Sequence, residues 1–352
     1  KFDENGLSSY YKMFKKLDSE FSKGKEGSLR WNNILKNIKK NKKSKYDCII
    51  GVSGGTDSCY LLHLAVKKWN LRPLAVNLDN GWSTDIALSN IKKITSDLDV
   101  DLETYVINYE EVKAVLVSFM KAGLPWIDGP TDLAIKAILY KIASAEKIKT
   151  ILVGTDFRSE GKQPEEWTHS DSKLFNYVIK KYSDVKLKTY PKMSIFKQIY
   201  YGGFLKIRKY QPFYLLDYNK QEAQQILIKN YDWKYYGGHH HENLFTKFAI
   251  SYWMYEKFNI DKRIITLSAQ VLSKQIQRNA ALDKIKNIPY DINQIKIDNN
   301  IVLKKLGISN EEFETIWNSA NKSFKDYPSY YDFFIKNKKI ISYFYKFFMP
   351  FK

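Results

Sequence analysis

Cysteine is nearly absent from this sequence, which contains only Cys48 and Cys59 in 352 residues. Two cysteines exclude a disulfide framework, and because both lie in apolar segments we expect them to be small buried hydrophobes. The sequence also lacks a signal peptide and any apolar run long enough to span a bilayer. These absences predict a cytoplasmic protein without a transmembrane segment.

Acidic residues are also scarce: 38 Asp and Glu stand against 57 Lys and Arg, which gives a formal net charge of +19. Such an excess raises nucleic acid or another anionic surface as a partner. The basic residues are scattered, however, apart from the run 36–45, so an anionic small substrate accounts for the charge equally well. With 44% hydrophobic and 15% aromatic residues, the chain is expected to bury a sizeable core.

The stretch from Tyr46 to Leu64, YDCIIGVSGGTDSCYLLHL, carries the clearest local signal in the sequence. Its apolar start, adjacent glycines and apolar-periodic end predict a buried strand, a tight turn and a helix in that order. Adjacent glycines let the backbone adopt positive φ, and the hydroxyls and free N–H groups of a new helix bind anions. The turn therefore predicts a phosphate site. It is not a Walker A loop, because the lysine of that motif is missing.

Strands and helices alternate with short connections from residue 46 onward, which predicts a parallel, doubly wound α/β sheet. Further strands are predicted at 74–78, about 102–107 and 150–153, and helices at 57–70, 83–98, 133–147 and 221–229. Polar groups follow the strands at Asn77, Asp79 and GTDFRSEG (154–161), so we expect them to share the ligand-binding sheet edge with the glycine turn.

Three parts are expected along the chain. They are an N-terminal helical segment (1–45), a core domain (46–230) with a substrate-facing insertion at about 162–210, and a helical C-terminal region (231–352). Within the core, Pro130 suits the first turn of a helix, and Asp128 or Thr131 is a candidate cap for it.

The hexapeptide SGGTDS, residues 53–58, resembles the SGG-x-DS loop of the PP-loop ATP pyrophosphatase superfamily. The resemblance implies a sheet of the PP-loop (adenine nucleotide α hydrolase-like) type and cleavage of ATP to AMP and pyrophosphate. The expected ATP-binding residues are Val52, Ser53, Gly54, Gly55, Thr56, Asp57, Ser58, Asn77, Asp79, Gly154 and Thr155. Cleavage between the α- and β-phosphates calls for Mg²⁺, with Asp57 as the expected ligand and Glu160 as the second candidate. GTDFRSEG is similar to the G-T-x-N-R-S-E segment of NAD synthetases in this superfamily, with Phe157 in place of Asn.

A second dense cluster, YYGGHHHEN, occupies residues 235–243. Three consecutive histidines suggest a metal site, but adjacent side chains diverge and a matching ligand set is missing, so no zinc is expected. The alternative is that His239 or His240, together with Glu242, faces a substrate as an acid/base group or anion contact.

Residues 235–263 resemble the C-terminal signature of the N-acetyl sugar amidotransferases, PP-loop enzymes of bacterial surface-polysaccharide (LPS O-antigen) and flagellin-sugar biosynthesis. The segments FDENGL (2–7), KTYP (188–191) and DYNKQEA (217–223) also fit, so the resemblance covers about residues 1–290. Such enzymes are held to convert the N-acetyl group of an activated or acidic sugar to an acetamidino group. ATP adenylylates the amide oxygen, and ammonia then displaces AMP.

This resemblance implies a set of functional residues and partners. The expected catalytic residues are Asp57, Ser53, His240 and Glu242, and the expected substrate contacts are His239, His240, Glu242 and Asn243. Because neither cysteine is placed as a glutaminase nucleophile, we expect ammonia from a separate partner. The resemblance implies a HisH-like glutaminase with a HisF-like ammonia-channelling barrel, and a homodimer is a further expectation.

The chain departs from the family pattern in two places. Ser8 and Tyr11 stand where family members have the C-x-x-C of a zinc element, and residues 273–278 read SKQIQR rather than S-G-Q-[MI]-T-R. Neither change touches the expected ATP chemistry, but the substrate or partner surface is expected to differ.

Alternatives remain open from the residues alone. A PP-loop tRNA-modifying enzyme, of the lysidine synthetase or thiouridylase type, fits the positive charge but would want a reactive cysteine pair or an RNA-binding module. A scaffold that has lost turnover is disfavoured by the intact SGGTDS. Locally, Asp79 is either an ordinary turn residue or lies near the adenosine, and Glu160 is either an exposed carboxylate or a metal ligand. The tail 330–352 either packs as a helix or touches a membrane surface.

Overall fold

The computed structural model describes residues 2–40, 44–238 and 240–338. Five strands in it form one sheet in the order β3-β2-β1-β4-β5, with every neighbouring pair parallel. The strands are β1 (Cys48–Gly51), β2 (Pro73–Asp79), β3 (Leu102–Val106), β4 (Thr150–Leu152) and β5 (Arg208–Tyr210). The predicted parallel α/β sheet is therefore confirmed.

Helices surround the sheet and form the C-terminal part of the chain. They are α1 (Ser9–Glu20), α2 (Gly24–Lys39), α3 (Thr56–His63), α4 (Asp85–Asp97), α5 (Tyr109–Lys121), α6 (Gly129–Ala145), α7 (Glu165–Thr168), α8 (Ser172–Tyr182), α9 (Ile195–Ile199), α10 (Lys220–Tyr231), α11 (Leu244–Phe248), α12 (Lys262–Leu272), α13 (Arg278–Lys286), α14 (Ile292–Leu306), α15 (Asn310–Asn318) and α16 (Tyr331–Lys336). Helices α3, α9 and α11 each continue into a π-helical turn, at Leu64–Lys68, Tyr200–Phe204 and Ala249–Lys257.

The central strand β1 shows why the sheet is covered on both faces. Successive strand side chains point to opposite faces. Cys48 and Ile50 pack with α2, α3, α4 and α10, whereas Ile49 packs with α6 on the other face. All three side chains are fully buried, so β1 reads as a continuous apolar run rather than an alternating one.

The strand order fixes where a ligand crevice opens. The chain leaves β1 toward β2 and β3 at one side of the sheet and returns to place β4 and β5 at the other. In such sheets the crevice lies outside the carboxyl ends of the two strands where this direction reverses, here β1 and β4. The segments that follow these two strands are the glycine turn and GTDFRSEG.

The C-terminal helices form a second apolar core against α5 and α8. Phe119 on α5, Phe248 on α11, Trp253 in the adjoining π-helical turn and Val302 on α14 all belong to one buried cluster. The expected helical C-terminal region is therefore observed. Across the described residues, no helix combines the length and the apolar character that crossing a membrane requires.

Several local predictions differ from the structure. β5 was not predicted, because the residues Arg208–Tyr210 are polar or half-exposed and pair only at the sheet edge. The apolar residues of α5 were likewise not recognised as a helix. Of the tail 330–352, residues 331–336 form α16, whereas residues 339–352 lie outside the described part of the chain.

Candidate active site

The turn after β1 has the shape that its two glycines predict. Gly54 has a φ of +77°, and a Cβ there would lie 2.3 Å from the backbone oxygen of Ala87 on α4. Helix α3 starts at Thr56 with Gly55 as its N-cap residue, so no side chain caps its first N–H groups from that position. Instead, Thr56 donates its N–H to the Tyr236 hydroxyl at 3.2 Å.

Two remote side chains hold this turn in place. The Gly54 carbonyl accepts hydrogen bonds from Asn90 Nδ2 at 3.2 Å and from the indole N–H of Trp233 at 3.0 Å. Asn90 is itself fixed by two bonds to the Lys234 backbone. Since all four hydrogen bonds are made to backbone atoms, the turn is preorganised before any ligand binds.

The segment after β4 lies directly against the start of α3. A Cβ on Gly154 would lie 2.7 Å from the Asp57 carbonyl oxygen, so only glycine allows this close approach. Thr155 accepts a hydrogen bond from Gln211 at 2.8 Å. The two glycine-bearing segments therefore meet at the carboxyl edge of the sheet.

A cavity of about 510 Å³, here called cavity 1, opens at this edge. It brings together most of the residues predicted to bind ATP, metal or substrate, namely Val52, Ser53, Gly55, Asp57, Ser58, Asn77, Gly154, Thr155, Glu160, His240, Glu242 and Asn243. Gly54, Thr56 and Asp79 are not among its lining residues. Asp79 accepts the Gly81 N–H in a tight turn at the end of β2. His239 lies outside the described residues.

Asp57 and Glu160 share one cation. The Lys220 ammonium lies 2.9 Å from an Asp57 carboxylate oxygen and 3.9 Å from a Glu160 carboxylate oxygen, and the Tyr218 hydroxyl donates to Asp57. Enclosure raises the pKa of a carboxyl, but Lys220 and Tyr218 hold the pKa of Asp57 below its ordinary value. Enclosure and the neighbouring Asp57 carboxylate raise the pKa of Glu160 to about 8. One acid is therefore ionised and the other holds a proton near neutral pH.

Glu242 links the histidine cluster to the glycine turn. Its Oε1 lies 3.3 Å from the Ser53 hydroxyl, which donates to it, and 3.6 Å from His240 Nδ1. Its Oε2 is buried and has no hydrogen-bond partner among the described residues. Burial disfavours the charged form of both side chains, but each of them stabilises the charge of the other more strongly. The pKa of Glu242 is therefore lowered and the pKa of His240 is raised.

Two further acids and a lysine form the opposite wall of cavity 1. Asp128 is 4% exposed, and burial together with Asp132 raises the pKa of Asp128 to about 7. Asp128 occupies the N-cap position of α6 but caps nothing with its side chain, because it accepts the Thr246 hydroxyl instead. Burial lowers the pKa of Lys262 to about 8. The ammonium of Lys262 lies 4.2 Å from the centroid of the Trp126 ring.

GTDFRSEG (154–161) also has a structural role that its similarity to the NAD synthetase segment does not predict. Phe157 is 2% exposed and packs against Phe14 of α1 and Tyr214. Arg158, equally buried, pairs with Asp18 at 2.8 Å and donates to the backbone oxygens of Phe21 and Tyr214. The loop therefore fastens the N-terminal helices to the sheet while leaving Glu160 in cavity 1.

The site residues missed by sequence reasoning are Lys220, Tyr236, Asp128, Asp132 and Lys262. Lys220 lies in DYNKQEA and Tyr236 in YYGG, so both were in segments already recognised as informative. Both residues are far from the glycine turn along the chain, so the sequence alone does not predict that they contact it. Both cysteines are buried as predicted, and burial raises the pKa of Cys59 to about 12.

Comparison with known proteins gives local and distant similarities. An uncharacterized protein of Methanocaldococcus jannaschii, MJ1599, is 42% identical over 69 residues, which are 20% of this chain and 24% of that protein. The chain thus spans about a quarter of that relative's length. Among solved structures, the NMN synthetase of Francisella tularensis aligns with a TM-score of 0.30 and 18% identity over 67% of this chain and 94% of the other.

Two further solved structures align at a similar level. An NH3-dependent NAD synthetase from Campylobacter jejuni gives a TM-score of 0.33 and 15% identity over 86% of this chain and 98% of the other. The U34-tRNA thiolase NcsA from Methanococcus maripaludis gives 0.31 and 13% over 71% and 82%. Scores at this level do not bear on function. At the level of sequence families, residues 242–340 are similar to the C-terminal domain of WbpG-like LPS biosynthesis proteins.

Proposed function

We propose that this protein is an ATP-dependent amidotransferase that converts the N-acetyl group of a sugar to an acetamidino group, with release of AMP and pyrophosphate. One observation carries the proposal. Four residues of the SGGTDS turn, including Asp57, line a single cavity together with Glu160 and the His240–Glu242 pair, at the switch point of a parallel sheet. The similarity of residues 242–340 to WbpG-like LPS biosynthesis proteins supports a sugar as the acceptor.

Cavity 1 suits ATP in size and in local chemistry. Its volume of about 510 Å³ lies within the range of small-molecule sites. The turn offers the Ser53 and Ser58 hydroxyls at the start of a helix, where phosphate oxygens are favoured. Lys220 supplies a positive charge, and the raised pKa values of Glu160 and Asp128 reduce the negative charge that ATP would meet.

Mg²⁺ fits the same place with ATP as a co-ligand. In the described part of the chain, no group of three or more His, Cys, Asp or Glu side chains is arranged to hold a metal by itself. Asp57 instead provides a carboxylate and Glu160 a second carboxyl group beside the Lys220 ammonium, and Mg²⁺ needs only one or two carboxylates when phosphates complete its shell. When bound, Mg²⁺ would offset charge on the pyrophosphate leaving group.

The reaction follows from the weakness of an amide as an electrophile. In the first step the amide oxygen forms a bond to the α-phosphorus of ATP, and the bond from that phosphorus to the bridging oxygen breaks, which releases pyrophosphate. In the second step ammonia adds to the imidate carbon, the carbon–oxygen bond breaks, and AMP leaves with the former amide oxygen. The acetamidine remains after the nitrogen loses a proton.

We propose that His240 and Glu242 handle that proton. They form a charged pair beside Ser53 on the cavity wall, and one Glu242 oxygen has no partner in the described structure. We assign Glu242 to receive a proton from the attacking nitrogen, with His240 holding the carboxylate in its charged form.

The nitrogen is proposed to come from a partner protein. The sequence has only two cysteines, both are buried, and neither lines cavity 1. A glutaminase reaction in this chain would need an accessible thiolate. We therefore propose that a HisH-like glutaminase with a HisF-like barrel supplies ammonia to this chain in the cell, and that ammonium salts replace them in the test tube.

The test is AMP formation by the purified protein from ATP, Mg²⁺, ammonium chloride and a panel of N-acetyl sugars. We expect AMP only when both a sugar and ammonium are present, and loss of AMP in Asp57→Asn. Glutamine in place of ammonium is expected to give no turnover. AMP formation that ignores the sugar, or full activity in Asp57→Asn, would overturn the proposal.

A tRNA-modifying PP-loop enzyme is the second candidate, and the net charge of +19 favours it. Phosphate contacts give nucleic-acid binding a steep dependence on salt. Tight, salt-dependent binding of tRNA, together with tRNA-stimulated AMP formation, would select this candidate over the sugar amidotransferase.

A further inference from the structure

A second cavity lies back to back with cavity 1. It has a volume of about 430 Å³ and is here called cavity 2. The two share three lining residues, Lys220, Tyr236 and Lys262, so these side chains form the partition between them. The proposed chemistry uses cavity 1 and leaves cavity 2 unexplained.

The loop 235–243 contributes Tyr236 to the partition, and its other residues line one cavity or the other. His240 and Glu242 line cavity 1, whereas Gly237, Gly238 and His241 line cavity 2. A Cβ on Gly238 would lie 2.4 Å from the His241 ring, so this glycine lets the His241 ring fold back against the loop. Burial lowers the pKa of His241 to about 4, so its ring enters cavity 2 uncharged at neutral pH.

Many of the side chains that line cavity 2 are amides and hydroxyls, although its walls also contain apolar surface. The side chains of this kind include Gln221, Gln224, Gln270, Gln275, Ser251 and Thr266. Three of them are fixed by bonds to the protein: Gln224 donates to Thr56, Gln270 to the Ser159 backbone and Thr266 to the Glu160 backbone. A rigid lining of neutral polar groups is suited to a ligand with many hydroxyls, and a path for ammonia alone would not need so wide a polar space.

The two cavities differ in the charged groups that line them. Cavity 1 is lined by five carboxyl groups and two lysines. Cavity 2 has one acid, Asp261, which is paired with Arg263 at 2.7 Å, and it adds Lys284 to the two lysines, Lys220 and Lys262, that it shares with cavity 1. An anionic group of the acceptor therefore meets fewer carboxyl groups in cavity 2 than in cavity 1.

One donor in cavity 2 has no partner. The side-chain nitrogen of Gln275 is buried and makes no hydrogen bond in the described structure, a state that costs free energy unless a ligand accepts from it. Gln275 belongs to SKQIQR, which leads into α13 and contributes Gln275 and Ile276 to the wall. Lys284, further along α13, is exposed and also lines cavity 2.

We propose that cavity 2 holds the hydroxyl-rich, anion-bearing part of the sugar acceptor, with Gln275 and Lys284 as contacts. The N-acetyl group then extends toward cavity 1 beside Lys220, Tyr236 and Lys262, which line both cavities. This assignment rests on the proposed function for the identity of the acceptor. It places ATP and sugar in separate cavities, so the two bind without competing.

The test measures binding by calorimetry, without turnover. The probes are N-acetylneuraminic acid, which carries a carboxylate, and UDP-N-acetylglucosamine, which carries a diphosphate, with uncharged N-acetylglucosamine as the comparison. We expect at least one charged probe to bind more tightly than N-acetylglucosamine, and equally well with and without α,β-methylene-ATP. The charged probe that binds tells whether carboxylate or phosphate is the natural anion.

Variants locate the site. Gln275→Ala removes a group with no internal hydrogen bond, and Lys284→Ala removes an exposed charge, so both variants should fold. Each variant is expected to weaken the affinity for the charged probe by about threefold to tenfold. Lys286→Ala, on the same helix but paired with Asp283 and outside the cavity lining, is the matched control and should bind normally.

Three results would overturn the inference: no binding of either charged probe, competition with α,β-methylene-ATP, or unchanged binding in both variants. The proposed function fails separately. If sugar binds in cavity 2 but no ammonium-dependent AMP formation is found, the binding site stands and the proposed reaction is refuted. If the acetamidino product forms but the KM for the sugar is unchanged in both variants, the proposed reaction stands and the binding site in cavity 2 is refuted.

Discussion

Gly54→Ala tests whether the glycine turn is the rigid phosphate-binding element of the site. Alanine at φ +77° costs about 1–2 kcal/mol of unfolding free energy, because its Cβ crowds the carbonyl in the left-handed region. The same Cβ would lie 2.3 Å from the Ala87 oxygen and 2.8 Å from its carbonyl carbon, atoms of a backbone that cannot rotate away. Overpacking of this kind adds about 1–3 kcal/mol.

The expected total is therefore a loss of about 2–5 kcal/mol in the free energy of unfolding. The turn can relieve the clash only by moving away from α4, which would break the bonds from Asn90 and Trp233 to the Gly54 carbonyl. We expect ATP binding to fall with the stability. Urea unfolding and calorimetric titration with α,β-methylene-ATP measure the two effects on the same preparations.

Gly307→Ala is the matched control. Gly307 ends α14 with a φ of +70°, but no heavy atom lies within 4 Å of its hypothetical Cβ. Only the strain of about 1–2 kcal/mol is expected there, with ATP binding unchanged. If Gly54→Ala were no less stable than Gly307→Ala and bound the nucleotide normally, the turn would not be the fixed element described above.

Further predictions concern the charged groups around the site. Glu160 has a pKa raised from 4.5 to about 8 in the folded chain, so the stability that its protonated form contributes is lost as the pH rises through that interval. Glu160→Gln should therefore flatten the pH dependence of the free energy of unfolding in urea between about pH 5 and 8. An unchanged dependence on pH would contradict this. Arg158→Met should cost about 2–6 kcal/mol, because it leaves the backbone oxygens of Phe21 and Tyr214 without their donor. It should also expose α1 to limited proteolysis, and native-like protection would refute that role. Glu242→Gln should lower kcat about a hundredfold or more with little change in the KM for ATP, and a loss confined to KM would assign Glu242 to binding alone.

The features that could be predicted from the sequence are local ones. The glycine turn follows from adjacent glycines between an apolar strand and a periodic helix, and Asp57 follows from its place one residue into that helix. The parallel sheet follows from alternating apolar strands and helices. In each case a few neighbouring residues decide the conformation, and the structure has the strand, turn and helix where those residues predicted them.

The walls of the site depend on long-range contacts and could not be predicted in the same way. Lys220 reaches Asp57 across 163 residues, and Tyr236 reaches Thr56 across 180. Asp128 has the position and residue type of a helix cap, yet tertiary packing directs it to Thr246 instead. Phe157 looked like a departure from a nucleotide-binding segment and proves to be an anchor for α1, a role that only the folded chain reveals.

The measurement that tests the central claim most directly is the fate of the amide oxygen. A sugar whose acetyl carbonyl carries a heavy-oxygen isotope is incubated with ATP, Mg²⁺, ammonium chloride and the protein, and the AMP and pyrophosphate are analysed by mass spectrometry. If the amide oxygen attacks the α-phosphorus, the heavy isotope appears in AMP, one atom for each acetamidino group formed. Unlabelled AMP with the isotope retained in the sugar would contradict the account, because ATP would then have been cleaved without activating the amide.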